Sequence, residues 1–267
     1  MRPLLAGLLA VAVAAAPAAA ADDPPPPSAA RVLVRNLWQD QKAIWTSPLH
    51  IKRKHVTGLV AFSLIAATLI ATDRRASNGL PNTPTQVDAG NAVSYIGAGY
   101  TTYGLAGALF FLGRVAHNDR AQEAGLLGAE ALVDATLVAQ VGKLIARRER
   151  PGAGDGGGHF ETGGSSFPSG HAITSWALAE VIASEYHDKP LVRIGAYGLA
   201  SAVSLARVAG RKHFPSDVLA GSVGGFLIGR YVYRSHHQSQ RRWSLAPIAR
   251  VEPATRTYAL SLNWSRR

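Results

Sequence analysis

Residues 167–171, Phe-Pro-Ser-Gly-His, are the stretch of this chain whose residue types are best suited to bind an anion. They follow a glycine-rich loop and open an apolar run, residues 172–183. The proline and glycine predict a turn, and Ser169 is placed to cap the helix that follows. A helix start offers unpaired N–H groups and the positive end of a dipole, which attract an anion. His171 would lie beside the bound anion and could donate a proton to it. Taken alone, however, Pro-Ser-Gly-His better fits an ordinary helix cap beside a surface histidine.

An upstream cluster of cations strengthens the case for an anion site. Arg150 follows Lys143 by seven positions. On a helix that spacing is close to two turns, so both side chains are predicted to share one face. Pro151 is predicted to stop the helix, which would leave the two cations at its end.

A downstream cluster contains Arg207, His213 and Asp217. Pro215 suits the first position of a new helix. His213 is therefore predicted just before that helix and Asp217 in its first turn. In chain order the full set reads Lys-x6-Arg-Pro, Pro-Ser-Gly-His and Arg-x5-His-x3-Asp, and each cluster lies where an apolar segment begins or ends.

This set of motifs resembles the type 2 phosphatidic acid phosphatase superfamily, which includes the bacterial class A acid phosphatases and the vanadium haloperoxidases. The motifs cover about the central third of the chain, and the flanking helices extend the resemblance from roughly His55 to Arg234. The family's third motif usually begins Ser-Arg, whereas here Ala206 precedes Arg207. Ser204, one turn earlier, is a candidate replacement for the missing hydroxyl.

The resemblance implies which residues bind phosphate. A phosphoryl group in transfer carries negative charge on its equatorial oxygens, so its catalysis is mostly positioning and charge stabilisation. Lys143, Arg150 and Arg207 would supply fixed positive charge, and an arginine can hold two oxygens at once. Ser169 and the amide of Gly170 would add hydrogen-bond donors.

The resemblance also implies the catalytic roles. His213 would attack phosphorus to give a phosphohistidine, and Asp217 would hold the other imidazole nitrogen. His171 would act as the general acid for the leaving oxygen. No metal and no cofactor are expected for this chemistry.

The function expected from these residues is hydrolysis of phosphate monoesters or diphosphates, with lipid-linked phosphates among the candidate substrates. Two alternatives remain open. A vanadium-dependent haloperoxidase would use the same pocket to hold vanadate. A non-enzymatic envelope protein would bind anionic lipid through its basic surface, but that reading leaves the three motifs unexplained.

The order of segments along the 267 residues predicts export followed by one large domain. Residues 1–21 read as a signal peptide, with a charged start, an apolar middle and a small-residue cleavage site, and an uncleaved anchor helix is the alternative. Residues 22–54 are a proline-rich linker followed by an amphipathic strap. Residues 55–235 are the phosphatase-like domain, predicted as an all-α bundle of about six core helices. Residues 236–267 form a basic tail.

Net charge and cysteine content limit the classes of binding partner that the chain is expected to have. The formal net charge is +11, and there is no cysteine, so neither disulfides nor thiol chemistry are available. A basic chain can bind nucleic acid, an anionic membrane or an anionic substrate. No nucleic-acid motif is present, so lipid phosphates are the expected polyanion for an exported chain. The sequence does not indicate an oligomeric state.

Six apolar segments are predicted to be helices, and they are compatible with either a soluble periplasmic protein or a membrane protein. The segments are 56–72, 89–113, 124–142, 172–183, 191–206 and 218–229. Only the second is comfortably long enough to span a membrane without a charge. The basic residues 52–54 favour a cytoplasmic start, which conflicts with a cleaved leader. A soluble periplasmic bundle removes the conflict and is preferred over a membrane protein with six spans.

The end of the chain and the remaining histidines carry weaker signals. Residues 258–264 alternate apolar and polar, and residues 244–251 do so loosely, which predicts a short hairpin with a frayed tail as the alternative. Five histidines have no ligand-like grouping of carboxylates or cysteines and are predicted to be surface or loop residues: His117, His159, His187, His236 and His237.

Overall fold

The computed structural model describes residues 29–240, 243–251 and 258–266, and the side chains of residues 31–237. The predicted leader lies outside the described residues. Between residues 29 and 240 the regular elements are all helices, joined by loops, which confirms the all-α fold. The α-helices are α1 Ala29–Thr46, α2 Arg53–Gly79, α3 Pro84–Ser94, α4 Gly99–Val115, α5 Asp119–Ala146, α6 Gly170–Glu185, α7 Pro190–Ala209 and α8 Pro215–Gln240.

Helix α6 is the centre of the bundle and packs against α5, α7 and α8. Most of its side chains are buried. A helix that is apolar on all sides is stable only in such a position. The core around it combines apolar residues of three helices: Leu127, Ala131, Ala135, Ile173, Ala177, Val181, Ile228 and Val232.

Three glycines on α8 allow it to lie directly against the backbone of α6. A Cβ at Gly225 would stand 2.1 Å from the carbonyl oxygen of Ile173, and one at Gly229 would stand 2.4 Å from that of Ala177. Gly221 makes the same close approach one turn earlier, at Ser169. Small residues spaced by four permit this contact between helices. The consequence is that the first turn of α8 lies beside the first turn of α6.

The second predicted segment, residues 89–113, is not one helix. The chain breaks at a 3₁₀ turn, Tyr95–Gly97, between α3 and α4. The break brings Gly97 so close to α7 that a Cβ there would lie 2.3 Å from Val203 Cγ1. Tertiary packing at this glycine thus overrides the apolar pattern, and α3 turns aside to pack on α7.

Large apolar side chains cover the outside of the bundle as well as its core. Side chains on α2, α4 and α7 are exposed by 65 % or more: Leu64, Phe111, Leu112, Leu191 and Leu205. Among the described residues, α2, α5 and α7 are long and apolar enough to cross a membrane. Contiguous apolar surface of this kind marks an interaction with lipid or protein. This surface indicates membrane association. The sequence analysis had instead preferred a soluble periplasmic bundle.

The strap and the tail flank the bundle. Helix α1 packs on α5, where Gln41 Nε2 donates to Asp134 Oδ1 at 2.8 Å, while Trp38 stays 74 % exposed. At the other end of the chain, β1 Trp243–Val251 pairs antiparallel with β2 Tyr258–Arg266. The turn predicted between these strands lies outside the described residues.

Candidate active site

The three motif clusters meet at one end of the bundle, where α5 and α7 end and α6 and α8 begin. A cavity of about 320 Å³ opens there, lined by Asn91, Ser94, Tyr95, His171, Arg207 and Lys212. The end of α3 supplies Asn91 and Ser94, and the 3₁₀ turn after it supplies Tyr95. Sequence reasoning missed these three residues because they form no motif. None of these lining residues is acidic, so the cavity suits an anion.

The start of α6 forms the floor expected for an anion site. Ser169 is its N-cap, and its Oγ accepts a hydrogen bond from the amide of Ala172 at 3.5 Å, which confirms the predicted cap. A Cβ at Gly170 would lie 3.4 Å from Nζ of Lys143. The ammonium group of Lys143 therefore lies over the first turn of α6, next to its free N–H groups.

The prediction that Lys143 and Arg150 share one helix face is wrong. Helix α5 ends at Ala146, and Arg147 adopts the left-handed conformation at its C-cap, with φ of 45°. The next residues pair instead with the glycine-rich loop, for example Glu149 N with His159 O at 3.0 Å. Arg150 reaches the site from this loop, where it donates to Ser165 Oγ at 3.4 Å.

Arg207 is the most deeply buried of the three predicted cations. It lies in the last turn of α7, is 7 % exposed, and its Nε has no hydrogen-bond partner. A buried donor of this kind is costly unless something accepts from it, so it fits an anionic ligand. The hydroxyl of Ser204 does not replace the missing family serine, because it is engaged by Trp176 and Ser222.

His213 is held in one tautomer by the backbone. Its Nδ1 lies 2.7 Å from the carbonyl oxygen of Ser166. A carbonyl can only accept, so Nδ1 must carry the proton, and in the neutral ring Nε2 then holds a lone pair. The ring is 2 % exposed and lies just before α8, as predicted. Nε2 is therefore the nitrogen available for reaction.

The expected contact of Asp217 with the imidazole is not a hydrogen bond. Asp217 Oδ2 lies 3.7 Å from His213 Nδ1, which is too long. The same oxygen accepts from Ser166 Oγ at 2.5 Å and from the amide of Phe214 at 2.9 Å. Asp217 thus fixes the segment whose carbonyl orients His213, in the first turn of α8, where it was predicted.

Arg148 is a further residue of the site that the sequence analysis missed. It is 1 % exposed and donates to Asp217 Oδ1 at 2.7 Å and to Asp73 Oδ2 at 2.8 Å. The rings of Phe160 and Phe214 lie against its guanidinium group. Asp73 comes from the end of α2, so Arg148 ties that helix to the start of α8. A charged residue at the end of a long apolar run, as Asp73 is, was the available signal.

The two histidines at this polar end of the bundle are both shifted toward the neutral form. Burial, followed by the charges of Arg207 and His213, lowers the pKa of His171 to about 4. Burial also lowers the pKa of His213, and this outweighs the opposing effect of Asp217. Neutral His213 suits a nucleophile. His171 can carry a proton only when an anion in the pocket offsets the surrounding cations.

The shift of His171 predicts a pH dependence of stability. An unfolded histidine titrates near ~6.5, so between that pH and the folded pKa of about 4 the unfolded chain binds more protons. The contribution of His171 to the free energy of unfolding should then be complete above pH ~6.5 and decrease as the pH drops toward 4. His171→Gln should lose less stability over this range, measured by unfolding curves in detergent. Parallel curves for the two proteins would contradict the assignment.

The other histidines divide into two groups. His117, His159 and His187 are exposed, as predicted. The prediction that His236 and His237 are surface or loop residues is wrong, because both lie in α8 and have acidic partners. His236 is buried and lies 2.9 Å from both carboxylate oxygens of Asp40, and His237 lies 2.9 Å from Glu123. The carboxylates come from helices distant in sequence, so no local pattern reveals them.

Comparison with known proteins agrees with this geometry. The family model described as the PAP2 superfamily matches residues 124–241. The lipid A 1-phosphatase of Porphyromonas gingivalis is 36 % identical over 73 residues, or 27 % of this chain, and the chain spans only 16 % of that relative's length.

Two solved structures are similar to this chain. The crystal structure of the first transmembrane PAP2-type phosphatidylglycerolphosphate phosphatase from Bacillus subtilis has a TM-score of 0.55 at 22 % identity, covering 70 % of this chain and 98 % of that one. The structure of Aquifex aeolicus LpxE has a TM-score of 0.46 at 19 % identity, covering 61 % and 93 % of the two chains. The likeness to the Bacillus subtilis structure shows a shared fold and nothing further.

Proposed function

Residues 124–241 belong to the PAP2 superfamily, and from that premise we propose that this chain is a phosphatase that hydrolyses phosphate monoesters or diphosphates through a phosphohistidine. One observation carries the proposal. His213 is locked with Nδ1 on the carbonyl of Ser166, at 2.7 Å. The lone pair on Nε2 is thereby kept free for attack. The cavity nearby is lined by Arg207 and Lys212 and by no acidic residue.

Binding of the phosphoryl group falls to the cations and the start of α6. Lys143 lies over the first turn of α6 and Arg207 lines the cavity beside His171. The charges of both, with that of Arg150, lower the pKa of His171. The unpartnered Nε of Arg207 can donate to a phosphate oxygen, as can the free amides at the start of α6. Donors fixed before the reaction stabilise charge that develops in the transition state without reorganising.

The reaction proceeds in two steps. In the first, the lone pair on His213 Nε2 forms a bond to phosphorus while the bond from phosphorus to the leaving oxygen breaks. His171, protonated when the phosphate dianion binds, gives its proton to that oxygen. In the second step, neutral His171 takes a proton from water, whose oxygen attacks phosphorus and releases inorganic phosphate and free His213.

Lipid phosphates are the substrate class that the surroundings of the cavity favour. Tyr95 lines the cavity and is 63 % exposed, and the neighbouring Ile96 and Tyr100 are exposed by 43 % and 71 %. Apolar and amphipathic side chains beside an anion pocket suit a substrate with a charged head and an apolar body. The relatives named above are described as acting on lipid A or on phosphatidylglycerolphosphate, which supports the same class.

The deciding experiment is hydrolysis by the purified full chain in detergent, without added metal. We expect release of phosphate from nitrophenyl phosphate and faster release, per unit concentration, from a lipid phosphomonoester. Vanadate should inhibit more strongly than phosphate, because a site complementary to a five-coordinate transition state binds its mimics best. Halide oxidation by the vanadate-loaded chain, without phosphatase activity, would instead indicate a haloperoxidase. A chain inactive in both assays would favour the non-enzymatic envelope protein.

The same proposal places the chain in the cell envelope, with the apolar parts of α2, α4, α5, α6, α7 and α8 in the bilayer. The exposed apolar side chains of α2, α4 and α7 support this placement. We expect the chain to stay with membranes in carbonate and to need detergent for release. Release by carbonate alone would support the soluble bundle. Sequencing the N-terminus of the same fraction tests export, because an intact segment 1–21 would exclude cleavage of the leader.

A further inference from the structure

A cluster of potential metal ligands lies in the bundle, outside the proposed active site. Asp40 of α1, Glu130 of α5 and His236 of α8 each offer one ligand atom, and these atoms all lie within 4.8 Å of one another. His236 Nε2 stands 2.9 Å from both oxygens of Asp40 and 3.9 Å from Glu130 Oε1. All three residues are buried. The cluster joins three helices that are far apart in the sequence.

Two buried oxygens in and beside this cluster have no hydrogen-bond partner. One is Oε1 of Glu130, the oxygen that faces His236, and the other is Oδ2 of Asp134 one turn later on α5. Both side chains are at least 98 % buried. Native proteins pair nearly all such atoms, so a buried carboxylate oxygen without a donor calls for a specific ligand.

Charge gives an independent reason. Asp40, Glu130 and Asp134 bring three carboxylates into the interior, where the imidazole of His236 lies beside the first two. Uncompensated charge is expensive in a protein interior and in a bilayer. A divalent cation bound among these carboxylates would offset the charge of those that are ionised.

We propose that Asp40, Glu130 and His236 bind a divalent transition-metal ion of the Zn²⁺ type, with Asp134 placed to complete or orient the ligand set. Tetrahedral zinc with bonds of about 2.0–2.1 Å keeps its ligand atoms about 3.3 Å apart. The distances of 2.9 and 3.9 Å from His236 Nε2 lie on either side of that value. An imidazole ligand favours Zn²⁺ over the hard cations Mg²⁺ and Ca²⁺, which prefer oxygen alone.

The ion would stabilise the bundle rather than take part in phosphoryl transfer. Glu130 precedes Lys143 by thirteen positions on α5, which is about 20 Å along a helix. Helix α1 reaches the bundle through Asp40 and Gln41, which contact α8 and α5. A metal bonded to Asp40 would hold α1 in place, and the proposal does not depend on the phosphatase assignment.

A second trio provides a matched comparison. Glu123, Glu185 and His237 also lie within ligand distance of one another. Glu185 is 4 % exposed and has the Arg120 guanidinium group 3.8 Å away, so an arginine already offsets its charge. Glu185→Gln therefore removes a buried carboxylate beside a histidine, as Glu130→Gln does, without touching the proposed site.

The test is zinc titration of the full chain in detergent after chelation and dialysis, followed by metal analysis and thermal unfolding. We expect about one equivalent of Zn²⁺ to bind and the melting temperature to rise with Zn²⁺ concentration. Mg²⁺ should do neither. Glu130→Gln should weaken Zn²⁺ binding at least about tenfold, whereas Glu185→Gln should leave it unchanged.

Three results would overturn the proposal: the parent chain takes up no Zn²⁺, Glu130→Gln binds it as the parent does, or Glu185→Gln alone abolishes binding. Asp40→Asn serves if Glu130→Gln does not fold, because it removes a ligand that α1 contributes and leaves the bundle helices unchanged. Equal zinc affinity of Asp40→Asn and the parent would likewise exclude the site.

Discussion

His213→Ala should lower kcat/KM by about 10⁴-fold or more, since loss of a nucleophile leaves only binding and charge stabilisation. The variant should also fail to form an acid-labile, base-stable phosphoenzyme when labelled substrate is quenched within milliseconds. The physical reason lies in the fixed tautomer: with Nδ1 on the Ser166 carbonyl, at 2.7 Å, Nε2 is the one nitrogen of this ring that can attack phosphorus. The fold should survive, because alanine removes no buried charge.

His171→Ala is the matched control for this variant. It removes the other imidazole of the pocket, but its effect should depend on the leaving group. We expect a large loss with an alkyl phosphate, whose oxygen needs a proton, and a much smaller loss with nitrophenyl phosphate. If His213→Ala still forms the phosphoenzyme, or if both variants lose activity equally on every leaving group, the roles are wrongly assigned.

Arg148→Met should lower the free energy of unfolding by about 3–5 kcal/mol, the usual cost of removing one partner from a buried ion pair. Arg148 is 1 % exposed and bridges Asp73 and Asp217, so its loss leaves two buried carboxylates without their cation. Activity should fall as well, because Asp217 holds Ser166, whose carbonyl orients His213. Denaturant unfolding in mixed micelles, with kcat measured on the folded fraction, checks both effects.

The exposed pair Arg74–Asp155 is the control for Arg148. Its atoms are 3.7 Å apart, and both side chains are more than half exposed. Arg74→Ala should therefore change stability little, because solvent screens such pairs. Equal stability losses in the two variants would show that burial of Arg148 is not what makes it important. If Arg148→Met does not fold, Arg148→Lys keeps the charge and loses only the forked geometry, and it should be destabilised by less.

The sequence by itself determined where α6 and α8, two helices of the proposed site, begin. Ser169 caps α6, Pro215 begins α8 and Asp217 lies in its first turn, all as predicted. Each of these features depends on a side chain that acts on backbone groups only a few residues away. Residue type and spacing are therefore sufficient to predict where such a helix begins. The resemblance of the three motifs to a known family likewise predicted that they would serve one site.

Local spacing failed where a residue's partner lies elsewhere in the chain. The seven-residue spacing of Lys143 and Arg150 predicted a shared helix face, but α5 ends at Ala146 because the glycine-rich loop pairs with the residues that follow. The apolar segment 89–113 is broken at Gly97, whose position is set by close packing on Val203. In both cases a contact across the fold outweighed a pattern along the chain.

The polar groups that orient the site could be found only in the tertiary structure. His213 is oriented by the carbonyl of Ser166, 47 positions away, and Arg148 pairs with Asp73, 75 positions away. His236 meets Asp40 across 196 positions. Periodicity along a helix tells which side chains share a face, but not which face of another helix will lie opposite. That is decided by the packing of the whole bundle, here by the glycines that let α8 lie against α6.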